Sequence, residues 1–338
     1  MANKLLVLGV CAAQGALLFP FRRSLIGNIE PRAVFHTKNE EQWKLNFGEI
    51  PFLKSIEEYK GVKPDIIIGS PSCGHSSNFS YSRKKTLGKP REDKTLNLYL
   101  NAIEQFLPQV FLLENLPKLL DLIPFEEWEK KLSKYHLIPH CHSVFEFGNS
   151  QKSRKRLILV GIRHDSKLDY HYFESIFKVS EPFLVKDIGN MIRKELNFRE
   201  DSDKKLAMYH YSDKSRSTLT VKQVKHLWNN EFKDEFKWPM KGTKMKTLPG
   251  VYRNRPNAYP LTLRPSNRQF NPNGLPMGIE EYRIIMGFPR NFNLYFDNSN
   301  KTYWLNKARN TLSKGSVYEV GLWFKKCIHR AKKAKLKL

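Results

Sequence analysis

Cysteine is scarce in this sequence, and its spacing excludes two classes of protein. The 338 residues include four cysteines, Cys11, Cys73, Cys141 and Cys327. They are too few and too scattered for the disulfide framework of a small secreted domain. No two of them have the CxxC spacing of a structural zinc site, and no other metal-ligand cluster is evident. The stability of the fold must therefore come from an ordinary hydrophobic core.

Long apolar runs are also missing. No run reaches the 18 or more residues that a transmembrane helix needs, so we expect no membrane partner. The apolar start of the chain is broken by Gln14 and Gly15 and is followed by Arg22 and Arg23. This pattern predicts a buried first strand and a turn rather than a signal peptide. We expect a monomer in the cytoplasm of a bacterial or phage-infected cell.

Acidic residues are few relative to basic ones. The chain has 33 Asp and Glu against 58 Lys and Arg, a formal net charge of +25. An excess of this size predicts a polyanionic partner, most simply nucleic acid. The stretch Lys241–Arg268 has seven basic residues and no acid, and it includes Tyr252 and Tyr259. Cations for phosphates with aromatics for bases are typical of nucleic-acid binding, although a solvated basic loop has the same composition.

The stretch Asp65–Ser77, DIIIGSPSCGHSS, has a short buried run that ends abruptly in turn residues. Ile66–Ile68 predicts a fully buried strand of a parallel sheet, and loops at the carboxyl ends of such strands carry the chemistry. Cys73 follows this strand on a proline-containing turn, with His75 close by. It is a candidate nucleophile, and the alternative is an inert, buried thiol.

A second buried run, Val110–Leu113, stops at Glu114. A carboxylate at the carboxyl end of a strand in the same sheet can meet the cysteine loop, and a buried glutamate needs a partner. Between the two strands, Ser80–Lys94 is polar and basic without apolar periodicity, which predicts a loop that closes over a substrate. Beyond them, Arg154 and Arg156 are two residues apart and would face the same side of a strand. This pattern is typical of phosphate or carboxylate binding, or of a solvated sheet edge.

The start of the chain has the order of a nucleotide-binding α/β fold. Leu5–Leu8 predicts a strand, Gly9–Gly15 a loop of small residues, and Ser24–Glu30 a second strand that ends in an acid. An acid at that position can accept hydrogen bonds from ribose hydroxyls. The predicted fold class is therefore α/β, a Rossmann-like, doubly wound sheet.

The composition changes near His164, where long buried strands give way to a charged, aromatic-rich stretch. We predict a catalytic domain over residues 1–163, a smaller domain over 164–262, and a segment over 263–338 that returns to the catalytic domain. A last helix is predicted to begin near Val317 and to fray in the basic sequence KKAKLKL.

These motifs together resemble the cytosine-C5 DNA methyltransferases. GSPSCGHSS, residues 69–77, is similar to the proline-cysteine motif of that family, and Glu114-Asn115-Leu116 to its glutamate-asparagine-valine motif about forty residues later. Arg154 and Arg156 match its paired arginines, and MGIEEYRIIMGFPRNF, residues 277–292, matches its late Gly-Phe-Pro motif. The resemblance implies the methyltransferase type of fold and a variable target-recognition domain over the middle of the chain.

The resemblance also implies roles for individual residues. Cys73 would attack C6 of a cytosine flipped out of double-stranded DNA, and Glu114, Arg154 and Arg156 would complete the catalytic set. S-adenosyl-L-methionine, or a modified analogue of it, is the implied cofactor. The residues that would hold it lie in the first loop, at strand ends and near the last motif: Leu8, Gly9, Gly15, Glu30, Glu49, Pro71, Asn310 and Ser316.

Departures from the family pattern leave alternatives. The first loop reads LGVCAAQG, Ser72 precedes the cysteine where the family has proline, and Gly74 replaces the usual glutamine. The last motif fits in two registers, through Arg309-Asn310 or through Lys314–Val317. A larger C5 substituent from a variant donor, a catalytically silent DNA-binding relative, and an RNA substrate are the alternatives. A restriction endonuclease is a possible partner of such an enzyme.

Overall fold

The computed structural model describes the following residues: 5–12, 15–30, 39–71, 94–184, 187–188, 251–253, 259–260, 268–270, 283–289, 291–292 and 318–335. Within these ranges, none of the helices has the length and the apolar character needed to cross a membrane. Two compact units divide the chain, and each is described by itself. The first comprises residues 1–147, 154–179 and 316–338, and the second comprises residues 148–153 and 180–315.

A seven-stranded mixed sheet forms the centre of the first unit. Its strands are β1 (Val7–Val10), β2 (Leu25–Ile29), β3 (Phe52–Leu53), β4 (Ile66–Gly69), β5 (Val110–Asn115), β6 (Tyr135–Ser143) and β7 (Lys155–Arg163). Their order across the sheet is β3-β2-β1-β4-β5-β7-β6. The first five strands pair in parallel, and β7 runs antiparallel to both β5 and β6. The predicted α/β class is confirmed.

The described helices are α1 (Asn39–Phe47), α2 (Lys94–Phe106), α3 (Leu119–Leu122), α4 (Phe125–Lys131), α5 (His171–Glu174) and α6 (Tyr318–Lys335). Two short 3-10 helices span Phe19–Phe21 and Val144–Phe147. The second unit has a parallel pair of short strands, β8 (Val251–Arg253) and β9 (Arg268–Phe270).

The central strands are apolar because both faces of the sheet are covered. Every residue of β4 and β5 is buried, including Glu114 and Asn115 at the end of β5. On one face, α2 contributes Tyr99, which is fully buried and whose hydroxyl donates to the Leu112 carbonyl at 2.7 Å. Burial of such side chains contributes about 1.5–3 kcal/mol each. A continuous apolar run was therefore the right signal for these strands.

The strands after β1 are added on both of its sides. β2 and β3 lie on one side of β1, and β4 and β5 lie on the other. Ligands of open α/β sheets bind at this switch point, outside the carboxyl ends of the strands. Gly69 at the end of β4 permits the close approach that this edge requires. A Cβ atom at Gly69 would lie 2.1 Å from the Val10 carbonyl oxygen, so no larger residue fits there.

Helix α6 packs back against the beginning of the chain. Trp323 is fully buried, and its indole N–H donates to the Ser175 carbonyl at 3.1 Å. Phe324 packs against Phe21 and Phe173, with ring centroids 6.1 and 5.7 Å away. The helix continues to Lys335, so the first part of KKAKLKL is helical rather than frayed.

The boundaries of these units differ from the predicted domain boundaries. The predicted division placed residues 263–338 with the catalytic part, whereas the second unit extends to residue 315. The assignment of residues 164–262 to target recognition stays a prediction.

Candidate active site

The carboxylate of Glu114 is held from two sides at the carboxyl edge of the sheet. Arg156 Nε lies 2.7 Å from Glu114 Oε1, and the Ser70 hydroxyl donates to Glu114 Oε2 at 2.6 Å. The side chains of Glu114 and Arg156 are only 4% and 13% exposed. A charge-assisted pair with so little solvent is strong and geometrically restrictive. Both carboxylate oxygens are therefore fixed in position, and each retains a second lone pair.

Strand register explains why Arg156 reaches this carboxylate. In the antiparallel pair of β5 and β7, Glu114 lies opposite Ile158. Arg156 precedes Ile158 by two residues, so its side chain is on the same face and diagonally adjacent to Glu114. A long arginine side chain covers that diagonal separation. The contact between Glu114 and Arg156 thus has a simple topological cause.

The other predicted arginine has a different environment. Arg154 is buried, with 1% exposure, and it precedes the first residue of β7. Its backbone carbonyl accepts a hydrogen bond from Val144 N–H at 2.9 Å. Arg154 therefore lies just before the strand, whereas Arg156 lies in it and makes the ion pair with Glu114.

A second hydrogen bond joins the same two strand ends. Asn115 Nδ2 donates to the Pro71 carbonyl at 3.1 Å, and Asn115 Oδ1 accepts from Leu116 N–H at 2.8 Å. Pro71 is buried and precedes Cys73 by two residues. The turn that leads to the candidate nucleophile is therefore tied to the strand that carries Glu114.

Ser70 is a site residue that the sequence reasoning missed. Gly69 lies opposite Leu113 in the parallel pair of β4 and β5, so the next pair is Ser70 and Glu114. Both hydrogen bonds between these strand ends join residues 44 positions apart, which is the offset of the whole register. That offset is the signal that could have found Ser70, had the register of the two apolar runs been known.

The ends of β2, β1 and β4 meet beside this carboxylate. Cys11 N–H donates to the Ile29 carbonyl at 2.8 Å, and the Cys11 carbonyl accepts from Ser70 N–H at 3.3 Å. Cys11 has a φ of 55°, a left-handed conformation that is uncommon for a residue with a side chain and often marks a functional loop. Glu30 follows β2 directly, and its N–H donates to the Leu53 carbonyl at 3.0 Å. The predicted acid thus lies at the carboxyl edge, next to the first loop.

Three further predicted cofactor residues lie in β1 or in the part of the chain that follows it. Leu8 and Gly9 are buried in β1, and Gly15 has a φ of 81°, which favours glycine. A Cβ atom at Gly15 would lie 2.4 Å from the Phe47 ring. Glu49 has a different position: it is exposed in the turn between α1 and β3, at the amino end of β3 rather than its carboxyl end.

Several predicted features lie outside the described residues. These are Cys73, Asn310 and Ser316, the loop 80–93, and most of the basic stretch 241–268. Among the residues that the structure does describe, no group of His, Cys, Asp and Glu side chains could hold a metal ion.

Comparison with protein families gives a match over most of the chain. The model of the C-5 cytosine-specific DNA methylase family matches residues 28–306. A stretch of 149 residues is 26% identical to the type II methyltransferase M.Bpa9945I of Bacillus paralicheniformis, covering 40% of this chain and 33% of that protein. The match therefore spans about a third of the length of that curated relative.

Solved structures share the fold over nearly the whole chain. A protein of an E. coli prophage, a DNA modification methyltransferase by name, superposes with a TM-score of 0.64 at 18% identity, covering 97% of this chain and 99% of that one. The methyltransferase EhMeth of Entamoeba histolytica gives 0.61 at 13% identity, with 97% and 98% coverage. The Dnmt2 methyltransferase of S. pombe gives 0.58 at 14% identity, with 96% and 98% coverage. At these identities the likeness shows the fold.

Proposed function

Because this chain belongs to the C-5 cytosine-specific DNA methylase family, we propose that it transfers a methyl group to C5 of a cytosine in double-stranded DNA. The observation that carries the proposal is the carboxylate of Glu114, held by Ser70 and Arg156 at the edge where Cys73 follows. Addition to a cytosine ring requires a positioned carboxyl group and a thiol, and Cys73 follows Ser70 by three residues in the sequence.

Glu114 would act on the polar edge of the base. Two of its lone-pair positions are used by Ser70 and Arg156, and the others can accept from the exocyclic amine of cytosine and share a proton with its N3. A proton held between the carboxyl group and N3 draws electrons from the ring and makes C6 electrophilic. Arg156 and Ser70 keep the carboxyl group in one orientation, so the base meets a preorganised partner.

Cys73 would supply the nucleophile. Its thiolate adds to C6, forming the Sγ–C6 bond and placing electron density on C5. After C5 has gained its new substituent, loss of the C5 proton to a base and cleavage of the Sγ–C6 bond restore the aromatic ring. Positive charge close to the thiol would favour the thiolate, and Arg156 is the proposed source of that charge.

The chain's own residues fit the implied cofactor at the switch point. Glu30 directly follows β2, and an acid at the carboxyl end of that strand can accept hydrogen bonds from ribose hydroxyls. Leu8, Gly9 and the loop through Gly15 would line the site next to it. S-adenosyl-L-methionine, when bound there, supplies the methyl group.

DNA as substrate agrees with the charge of the chain. A net charge of +25 favours binding to phosphates, and a stacked base cannot present C6 to a thiolate. The target cytosine must leave the duplex, at a cost of about a few kcal/mol. Since one relative is a type II methyltransferase by name, a restriction endonuclease with the same target sequence is the proposed cellular partner.

Nucleoside mass spectrometry tests the proposal. DNA and tRNA are isolated from cells that express the chain and from cells that express Cys73→Ala. We expect 5-methylcytosine in DNA with the first chain and none with the second. A larger C5 substituent would indicate a variant donor, modified tRNA alone would indicate an RNA substrate, and methylation by Cys73→Ala would overturn the mechanism.

A further inference from the structure

A cluster of basic side chains lies around Arg22 and Arg23, at the opposite edge of the sheet from the candidate active site. We call it the amino-edge patch, and it comprises Arg22, Arg23, Lys325, Lys326, His329, Arg330 and Lys333. It combines a short segment near the start of the chain with the last two-thirds of α6. All of these residues except Lys325, which is half-buried, are exposed.

Direct contacts bring the two segments together. Lys325 Nζ donates to the Pro20 carbonyl at 2.6 Å, and the rings of Phe324 and Phe21 lie 6.1 Å apart. Lys325 is also close enough to Arg23 for the arginine charge to lower its pKa, after the larger effect of burial. The cations of the two segments therefore form one surface.

Two of the arginines are held in place on aromatic rings. The Arg330 guanidinium lies 4.2 Å from the centroid of the Phe177 ring, and that of Arg22 lies 5.1 Å from the centroid of Phe19. An arginine stacked in this way loses little further entropy when it binds an anion, since its planar group is already positioned. Such preorganisation favours phosphate binding over mere solvation.

Among the described elements that contact α6, acidic residues do little to neutralise this surface. Glu319 is the only acid of α6, and it is buried in the first turn. The elements that contact α6 contribute Glu146 and Glu174, which pair with His142 at 2.6 Å and with His171 at 3.0 Å. Burial has the largest effect in lowering the pKa of His329, and the nearby charges of Lys325, Lys332 and Lys333 lower it further.

The patch lies far from the reacting groups. The carbonyl of Ser24, which follows Arg23, accepts from Val7 N–H at the amino end of β1, whereas Ser70 and Glu114 lie at the carboxyl ends of the strands. The four residues of β1 alone span about 13 Å at about 3.3 Å per residue. A phosphate bound by Arg22 and Arg23 would therefore lie at the opposite edge of the sheet from Glu114.

We propose that the amino-edge patch binds the phosphate backbone of double-stranded DNA at a second site, separate from the place where the cytosine reacts. The choice of DNA over other polyanions rests on the proposed function, whereas the patch itself rests on its own geometry. A second contact of this kind holds a distant flank or a neighbouring segment of DNA without reading its sequence.

Salt-dependent binding tests the proposal. The full chain is titrated with a fluorescent duplex of A·T pairs only, which has no cytosine to engage the active site. The double variant Lys326→Gln/Lys333→Gln is compared with Lys130→Gln/Lys131→Gln, which removes the same charge from exposed positions of α4. Thermal unfolding of all three proteins shows whether each variant is folded.

We expect the patch variant to lower the slope of log affinity against log salt by about 0.9 for each lost phosphate contact. For two contacts, the loss of affinity of the unmodified chain between about 50 and 200 mM salt should exceed that of the patch variant by about tenfold. The control variant should keep the slope of the unmodified chain. Equal slopes for all three proteins, or an equal decrease in both variants, would overturn the proposal.

The partner class and the proposed function are tested separately. Anionic phospholipid vesicles bound through Lys326 and Lys333, with no effect of these residues on the duplex, would also overturn the proposal. An unchanged salt slope with normal 5-methylcytosine formation would refute only the second site. A lowered slope in a protein that never modifies cytosine would refute only the proposed reaction.

Discussion

Ser70 and Glu114 lie opposite each other at the carboxyl ends of two neighbouring parallel strands, and the Ser70 hydroxyl donates to Glu114 Oε2 at 2.6 Å. The opposite oxygen of the same carboxylate pairs with Arg156 Nε at 2.7 Å. One donor comes from the strand before the candidate nucleophile, and the other comes from the antiparallel strand β7. The orientation of the carboxyl group thus depends on three strands of the sheet.

Removal of the serine hydroxyl should lower the rate of transfer. A hydrogen bond to a charged group contributes about 1.5–3 kcal/mol, so Ser70→Ala should lower kcat by about tenfold to a hundredfold. The affinity for DNA should change little, because Ser70 holds a side chain rather than a phosphate. Steady-state kinetics with duplex DNA would measure both quantities.

Ser70→Thr keeps the hydroxyl and should retain much of the activity, whereas Ser133→Ala, at an exposed serine, should behave as the unmodified chain. A Ser70→Ala protein with an unchanged kcat would show that Arg156 alone orients the carboxyl group.

The ion pair between Arg156 and Glu114 should contribute to stability as well as to activity. Loss of one partner of a buried pair leaves an uncompensated charge and costs about 3–5 kcal/mol, so Arg156→Ala should lower the free energy of unfolding by up to that amount. Urea denaturation of Arg156→Ala, Glu114→Gln and the double variant forms a double-mutant cycle. We expect Arg156→Ala to cost clearly less in the Glu114→Gln background. Costs that add independently would show that the pair contributes nothing beyond its separate parts.

Cys73 should form a covalent bond to the base. A duplex with fluorine at C5 of cytosine cannot lose a C5 proton, so the Sγ–C6 bond should persist once C5 has been alkylated. A denaturing gel with labelled duplex should show a shifted band for the unmodified chain and none for Cys73→Ala, which should still bind DNA.

Cys141→Ala is the matched control for this experiment. Desolvation of the thiol, and then the Asp121 charge, raise the pKa of Cys141, which makes it a weak nucleophile at neutral pH. An adduct that survives Cys73→Ala but disappears in Cys141→Ala would refute the assignment to Cys73 and would identify Cys141 of β6 as the nucleophile.

Stability should fall in mildly acidic solution because of His140. Burial lowers the pKa of His140 below its ordinary value of 6.5, and the ring bonds to the Phe173 carbonyl at 2.8 Å. The unfolded chain therefore takes up a proton at higher pH than the folded chain does. The contribution of neutral His140 to the free energy of unfolding is fully present above about pH 6.5. It is lost as the pH falls through the lowered pKa of His140 in the folded chain.

Denaturant unfolding between pH 5 and 8 would measure this effect. His140→Gln should flatten the decline below about pH 6.5, because the amide does not titrate and can still donate to the Phe173 carbonyl. His136→Gln, at an exposed position of the same strand, serves as the control. An equally steep decline in His140→Gln would assign the pH dependence to other groups.

Much of the fold was predictable because a strand that is buried on both faces has a short, continuous apolar sequence. The strands at Ile66–Gly69 and Val110–Asn115 are covered on both faces, so an uninterrupted apolar run identified them. The boundaries of the outer strands β6 and β7 were harder to predict. Strand β6, Tyr135–Ser143, alternates buried with exposed residues and includes Pro139, so no uninterrupted apolar run marks it.

The sequence by itself determined the class of fold, the family, and the residues that the motifs mark, such as Glu114 and Arg156. Each of these depends on local composition or on a short motif, and the family match over residues 28–306 confirms the predicted family. What only the tertiary structure decided depends on register and on contacts between distant segments. The pairing of β4 with β5 placed Ser70 against Glu114, and the antiparallel register of β7 gave Arg156 the diagonal position beside that carboxylate. The packing of α6 against the first 3-10 helix joined two basic segments about 300 residues apart into one surface, which no local pattern could indicate.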